Sequence, residues 1–204
     1  MSHEHVILTG AELTVENLTG VSVYGPEHEK VGVVGDLLLS SDEMIRSAVI
    51  DVGCGSGLPI ARGLVGRGFA VTGVDAAPEM LALFRANLPD AQAVLSDMRT
   101  LALGRRFAGL IAWDSLFHLT PADQRITLAR LAAHAAPEAA LLFTSGPAEG
   151  SAIGEFEGGP LYHGSLDPAE YRALLCAHGF DVVDHVAEDP RCGYRTVWLA
   201  RRSA

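Results

Sequence analysis

The chain has 204 residues, of which 49% are hydrophobic and 20% charged, and this predicts one globular domain spanning residues 1–204. Fifteen Lys and Arg against 25 Asp and Glu residues give a formal net charge of −10, which argues against a nucleic-acid partner, because phosphate backbones are bound mainly by cations. No stretch approaches the ~18 uninterrupted apolar residues of a membrane-crossing helix. The N-terminus, MSHEHVILTG, does not have the pattern of a secretory signal. We therefore expect a soluble, cytoplasmic protein without a membrane partner.

The histidines and cysteines give no clear metal site. Cys54, Cys176 and Cys192 are odd in number and lack C-x-x-C spacing, so neither a disulfide framework nor a cysteine zinc site is predicted. His3 and His5 could bind a metal ion, but a solvated terminal tail is the simpler interpretation. We expect no metal in this protein.

Two segments before residue 47 have the pattern of a strand or a helix, and from there on short apolar and longer amphipathic segments alternate. Residues 6–15 alternate in polarity, as in a strand, and residues 26–39 are compatible with a helix. From about residue 47, short apolar runs alternate with longer amphipathic ones, which is typical of strand–helix units and a parallel sheet. Seven strands are predicted, at residues 48–52, 70–75, 91–95, 107–113, 139–145, 180–187 and 194–201. Four helices are predicted, at residues 58–67, 78–87, 121–136 and 168–178.

The connections between these elements complete the predicted fold. Only EDPRCG separates the last two strands, which is too short for a crossover helix and therefore predicts an antiparallel pair. The fold class is α/β: a doubly wound, Rossmann-like, seven-stranded sheet that is mostly parallel and has an antiparallel C-terminal hairpin strand. Residues 146–166 contain six glycines and two prolines, and such long loops are often functional. We interpret this segment as a lid.

The first strand of this core leads into a glycine-rich turn, in VIDVGCGSGLPIARGL at residues 49–64. Glycines let a ligand approach the backbone closely. The dinucleotide fingerprint G-x-G-x-x-G fits Gly53 and Gly55, but Leu58 stands where its third glycine should be. This mismatch argues against a nicotinamide cofactor. A Walker A loop would need Gly-Lys-Ser/Thr, which is absent, so ATP hydrolysis is not supported.

Three aspartates lie in register with this turn. Asp51, Asp75 and Asp97 each belong to a strand end or follow one directly, and in a doubly wound sheet these ends meet at the edge where ligands bind. Any one of them could be an ordinary turn aspartate. Together they suit a ligand with a positive charge, a ribose diol and an amine, because carboxylates accept hydrogen bonds from all three. S-adenosylmethionine has these groups.

Over residues 46–202 the sequence resembles the class I S-adenosylmethionine-dependent methyltransferases of the small single-domain type. The resemblance depends on VIDVGCGSG, VTGVDAAPEM, LSDMRTL, LIAWDSLFHL and YRTVWLARR, in this order. It implies that Asp51 lies near the cofactor's ammonium group, that Asp75 binds the ribose hydroxyls, and that Asp97 and the Met98 backbone bind adenine. The implied cofactor-binding residues are Asp51, Gly53, Cys54, Gly55, Gly57, Asp75, Ala76, Asp97, Met98 and Trp113. The usual N-terminal aromatic signature is hard to find, and Tyr24 is the candidate for it.

Trp113 and Asp114, after the fourth strand, would border the sulfonium and the substrate in such an enzyme. Methyl transfer mainly requires alignment of nucleophile, methyl and sulfur, and a base is needed only where the acceptor must lose a proton. His118, five residues beyond Trp113, is the first candidate for this base; alternatively it bonds to backbone in a loop. His163 is the second candidate; alternatively it is a surface residue.

The acceptor class is narrowed by what the sequence lacks. Enzymes that methylate amino groups of bases resemble one another in an Asn/Asp-Pro-Pro-aromatic motif after the fourth strand, and here that place reads WDSLF. The Pro-Cys nucleophile of cytosine C5 enzymes is also absent. With the net charge of −10, these absences favour methyl transfer to a small molecule by in-line displacement. A non-catalytic module that keeps the cofactor pocket for sensing is the alternative. The acceptor atom and the oligomeric state stay open.

Overall fold

The computed structural model describes residues 22–24, 30–33, 48–156 and 158–204. Within these ranges the strands are β1 (Ser22–Tyr24), β2 (Lys30–Val33), β3 (Ala48–Val52), β4 (Ala70–Asp75), β5 (Gln92–Leu95), β6 (Phe107–Ala112), β7 (Ala135–Ser145), β8 (Gly150–Phe156), β9 (Gly159–Ser165), β10 (Phe180–Asp189) and β11 (Arg195–Arg202). The α-helices are α1 (Ile60–Gly66), α2 (Pro78–Asn87), α3 (Pro121–Ala133) and α4 (Pro168–Ala177). No helix in the described ranges is long and apolar enough to cross a membrane.

Seven of the strands form one sheet in the order β10-β11-β7-β6-β3-β4-β5. The strands from β3 to β7 are mutually parallel, whereas β11 is antiparallel to both of its neighbours. This confirms the predicted fold class, including the antiparallel strand. Because β4 and β6 flank β3 on opposite sides, the chain changes direction at the carboxyl ends of β3 and β6. In doubly wound sheets this switch point is where ligands bind.

Helices cover both faces of the sheet, which is why its central strands are apolar on both sides. In β3, Val49 packs with Leu64 of α1 and Phe84 of α2. Its neighbour Ile50 faces the opposite side, where the core includes Leu131 of α3. Successive residues of β3 therefore face opposite helical layers, and the buried centre of the sheet holds the turn that follows β3.

Some predicted boundaries differ from the structure. The predicted helix at residues 26–39 is wrong over Lys30–Val33, because these residues form β2, which pairs antiparallel with β1. Val31 and Val33 are β-branched, and such residues favour strands. The predicted helix at 121–136 ends at Ala133, because Ala135 already pairs with Phe107 and extends the sheet. The rest of the helix at 26–39 and the strand at 6–15 lie outside the described residues.

The segment at residues 146–166 is not an irregular loop, as was expected, but contains the antiparallel hairpin β8–β9. The pairing runs from Gly150 opposite Ser165 to Phe156 opposite Gly159. Gly158, with φ of 80°, lies in the turn, where glycine is favoured because side chains disfavour positive φ. The many glycines concealed this hairpin because they weaken the alternating pattern on which strand prediction depends. Its action as a lid stays a prediction.

Candidate active site

The turn after β3 has a backbone that only glycine adopts easily. Gly53, Gly55 and Gly57 have φ of 75°, 52° and 78°, in the left-handed region that disfavours side chains. A Cβ on Gly53 would lie 2.3 Å from Cβ of Ser115, whereas one on Gly55 would meet nothing within 4 Å. The first glycine is thus enclosed by protein, and the second leaves open space beside the backbone.

The carboxylate of Asp75 connects this turn to the start of α2. Its Oδ2 accepts a hydrogen bond from the Gly55 N–H at 2.8 Å, and its Oδ1 accepts one from the Ala77 N–H at 2.9 Å. Ala76 lies between these residues, in the connection from β4 to α2. The arrangement fixes the Asp75 side chain beside the glycine turn, at the switch point.

Asp51 lies beneath the turn and is 3% exposed. Burial, reinforced by the negative charge of Asp75, raises the pKa of the Asp51 carboxyl from 3.8 to about 7, because the charged form loses its hydration. Burial also raises the pKa of the Cys54 thiol, with further contributions from Asp51 and Asp75. A protonated thiol is a poor nucleophile, and Cys54 both packs in the apolar cluster of the core and lines the cavity described next.

A cavity of about 360 Å³ opens above Asp51, within the ~300–1,000 Å³ that is usual for small-molecule sites. Its lining includes Asp51, the glycine turn at residues 53–57, Trp113, Asp114 and Arg195. The structure therefore brings the predicted residues of β3, its turn and the end of β6 around one cavity.

Four predicted cofactor residues lie at the same edge of the sheet but are not part of this lining: Asp75, Ala76, Asp97 and Met98. Asp97 begins a short 3₁₀ turn and accepts a hydrogen bond from the Arg99 N–H at 2.8 Å. The Arg99 guanidinium also donates to its carboxylate, with Nη2 2.5 Å from Oδ2, and holds the pKa of Asp97 below its ordinary value. The Met98 side chain reaches the glycine turn, since its Cε lies 3.3 Å from where a Cβ on Gly53 would be.

One ion pair at the cavity, between Asp114 and Arg195, was not predicted from the sequence. Arg195 Nε lies 2.7 and 2.8 Å from the two carboxylate oxygens of Asp114, and Arg195 Nη2 lies 2.6 Å from Oδ2. The guanidinium is also 6.0 Å from the centre of the Trp113 ring. Asp114 and Arg195 are 81 residues apart in sequence, so no local pattern could have indicated that they meet.

The two candidate bases lie together, with His163 on β9 and His118 next to it. His118 Nδ1 is 3.1 Å from the Tyr162 carbonyl oxygen, and because a carbonyl only accepts, Nδ1 carries the hydrogen and donates. In the neutral ring, Nε2 is then the unprotonated nitrogen. The ring centres of His118 and His163 are 5.0 Å apart. The backbone bond expected as the alternative for His118 is therefore present, and it leaves Nε2 as the ring's acceptor.

A second cavity, of about 490 Å³, lies between the β8–β9 hairpin and the ends of β7 and β11. Its lining includes Phe117, Ser145, His163, Tyr194 and Arg195. Arg195 also lines the 360 Å³ cavity. Arg195, which forms the ion pair with Asp114, thus lines both cavities.

Comparison with known proteins agrees with this geometry. Residues 49–138 match the sequence family described as a methyltransferase domain. A curated relative from Streptomyces fradiae, dTDP-3-amino-3,6-dideoxy-alpha-D-glucopyranose N,N-dimethyltransferase, is 36% identical over 94 residues, which cover 45% of this chain. The match spans only 36% of that relative's length.

Solved structures of similar fold include two methyltransferases with bound S-adenosylmethionine. One is an amino pentose methyltransferase from Micromonospora echinaspora, involved in calicheamicin biosynthesis, with a TM-score of 0.65 and 21% identity over 99% of this chain and 100% of that one. The other is magnesium protoporphyrin IX methyltransferase from Synechocystis PCC 6803, with a TM-score of 0.64 and 20% identity over 83% of this chain and 76% of that one.

These findings confirm the resemblance inferred from the sequence motifs. The chain has the fold of the class I S-adenosylmethionine-dependent methyltransferases. Its residues 49–138 match the methyltransferase domain family, and S-adenosylmethionine is the cofactor of this class.

Proposed function

We propose that the protein is an S-adenosylmethionine-dependent methyltransferase that methylates a small molecule by in-line displacement. The observation that carries the proposal is the 360 Å³ cavity, in which a buried carboxyl, Asp51, lies beneath a turn of three positive-φ glycines. A backbone without side chains admits a ligand at close range, and a carboxylate suits the cationic end of this cofactor.

The residues around the cavity fit the cofactor's separate groups. When bound, S-adenosylmethionine supplies an electrophilic methyl group on a positively charged sulfur. Gly55 leaves open space for the methionine part, and Asp51 lies where it can bind the ammonium group. Trp113 presents an aromatic ring to the same cavity, and aromatic faces attract cations.

The two other aspartates would bind the nucleoside. Each oxygen of Asp75 accepts one backbone N–H and has a further lone pair for a ribose hydroxyl. Arg99 fixes the carboxylate of Asp97 in one orientation, from which it could accept a bond from the adenine amine. Met98 contacts the glycine turn and would place its backbone at the ring edge. Each of these roles is part of the proposal.

The acceptor would occupy the 490 Å³ cavity, which shares Arg195 with the lining of the first. His163 lines this second cavity, and His118 lies beside it with Nε2 free to accept a proton. We assign His118 as the base for an acceptor that must lose a proton, with His163 as the second candidate. The protein's main contribution is then alignment of the acceptor with the methyl group.

The first acceptors to test are amino sugars. The Streptomyces fradiae relative methylates the amino group of a deoxy sugar, and the structural neighbour from Micromonospora echinaspora is an amino pentose methyltransferase. The net charge of −10 supports a small molecule over a nucleic acid.

The test has two stages. Thermal unfolding is measured with S-adenosylmethionine, S-adenosylhomocysteine, NAD and ATP, and we expect stabilisation by the first two. Stabilisation by NAD alone would refute the proposed cofactor. Methyl transfer to a panel of amino sugars is then followed by mass spectrometry, with the enzyme lacking acceptor as the control. Product formation separates a methyltransferase from a module that only binds the cofactor.

A further inference from the structure

The two partners of the Asp114–Arg195 ion pair differ in the cavities that they line. Asp114 lines the 360 Å³ cavity, whereas Arg195 lines both this cavity and the 490 Å³ cavity. The negative end of the pair therefore faces the cavity proposed for the cationic cofactor. Its positive end reaches the cavity proposed for the acceptor.

Arg195 has hydrogen-bonding capacity left. A guanidinium carries five N–H donors. One on Nε and one on Nη2 donate to Asp114, and one on Nη1 donates to the Cys192 carbonyl at 3.0 Å. The remaining two N–H groups have no partner among residues 48–156 and 158–204. The hydrogen bond to Asp114 raises the pKa of Arg195 further, so the group stays cationic.

The second cavity contains no acidic side chain among the described residues that line it. Its polar lining consists of serines, backbone and His163, and Arg195 is its one permanently charged residue in the described part of the chain. Tyr194, 70% exposed, adds an aromatic ring at the rim. Among the described residues of this lining, Arg195 is thus the cationic hydrogen-bond donor, and its two unengaged N–H groups suit an anionic group on a ligand.

We propose that the second cavity binds an acceptor that carries an anionic group, a phosphate or a carboxylate, and that Arg195 binds this group. The inference rests on the proposed function, because it takes the first cavity as the cofactor site. It assigns Arg195 a role in acceptor specificity, through charge-assisted bonds from its two unengaged N–H groups.

The test compares sugars that differ in charge. Glucose 1-phosphate, glucuronate and glucose are titrated by calorimetry into the protein, with and without saturating S-adenosylhomocysteine. We expect at least one anionic probe to bind at least about tenfold more tightly than glucose. Glucose 1-phosphate and glucuronate separate a phosphate from a carboxylate. The variant Arg195→Gln should lose this preference, and its affinity for S-adenosylhomocysteine is measured in parallel, because Arg195 also lines the cofactor cavity.

Arg201→Gln is the matched control, since Arg201 is on the same strand, pairs with Glu138 at 3.5 Å and does not line either cavity. It should keep the preference for the anionic probe. Arg195→Lys retains the charge but not the planar guanidinium, and its preference for the anionic probe should fall at least about threefold. This variant replaces Arg195→Gln in the test if circular dichroism shows that Arg195→Gln is unfolded.

Three results would overturn the assignment. One is equal binding of all three sugars by the unaltered protein, and another is a preference that survives in Arg195→Gln. The third is a loss of S-adenosylhomocysteine affinity in Arg195→Gln without a change for the sugars, which would place the cofactor's carboxylate on Arg195. Failure of the unaltered protein to bind S-adenosylhomocysteine would instead refute the proposed function, and the titrations without it would still report on Arg195.

Discussion

Replacing Asp51 by asparagine should stabilise the protein without ligand and weaken cofactor binding. Asp51 is 3% exposed, and burial, followed by repulsion from Asp75, raises its pKa to about 7. In the native protein the carboxyl therefore holds its proton more strongly than in the unfolded chain. Its contribution to stability is fully present below about pH 4 and is lost as the pH rises through 7.

The size of this effect follows from the two pKa values, 3.8 and about 7. Linkage gives a cost to the native state of about 2 kcal/mol at pH 5 and about 4 kcal/mol at pH 8. Asparagine resembles the protonated carboxyl and does not ionise. The variant Asp51→Asn should thus exceed the original protein in stability by an amount that grows by roughly 2–3 kcal/mol between these two pH values.

Urea unfolding from pH 5 to pH 8 measures this difference, with Asp90→Asn, an exposed site, as the matched control. A cationic ammonium group beside Asp51 should lower its pKa and expel the proton. Calorimetry of S-adenosylhomocysteine binding at pH 6.5, in buffers of different ionisation enthalpy, should detect release of up to about 0.8 proton. A pH-independent stability difference, together with no proton release, would show that Asp51 is already ionised and that the reasoning from burial is wrong.

Four further substitutions test the remaining parts of the site. His118→Ala should lower kcat by about 100-fold or more, with cofactor affinity nearly intact; a near-normal kcat across about pH 6 to 9 would exclude His118 as the base. Gly53→Ala should abolish cofactor binding in calorimetry, because its Cβ would lie 2.3 Å from Ser115, whereas Gly55→Ala, with open space, should cost only ~1–2 kcal/mol of stability in thermal unfolding. Asp75→Ala should weaken S-adenosylhomocysteine binding by ~2–4 kcal/mol, and an affinity unchanged within about threefold would contradict its assignment to the ribose.

Most of the main sheet could be predicted because its signals are local. The apolar run of β3 and the glycines that follow it are adjacent in the sequence, and each predicted strand after residue 47 corresponds to a strand of the sheet. The antiparallel pairing of β10 and β11 could be predicted because the segment that connects them is too short for a crossover helix. The predictions that differed, at β2 and at the β8–β9 hairpin, concern segments whose glycines weaken the periodic pattern.

The sequence by itself determined the fold class, the glycine turn and the row of aspartates, since hydrophobic periodicity and strand ends specify where each residue falls along its own element. Only the tertiary structure decided what these residues meet. The pKa of Asp51 depends on burial and on Asp75, and the pairing of Asp114 with Arg195 joins positions 81 residues apart. Burial and charge pairing are properties of packed surroundings, and these exist only once the sheet and its helices have assembled.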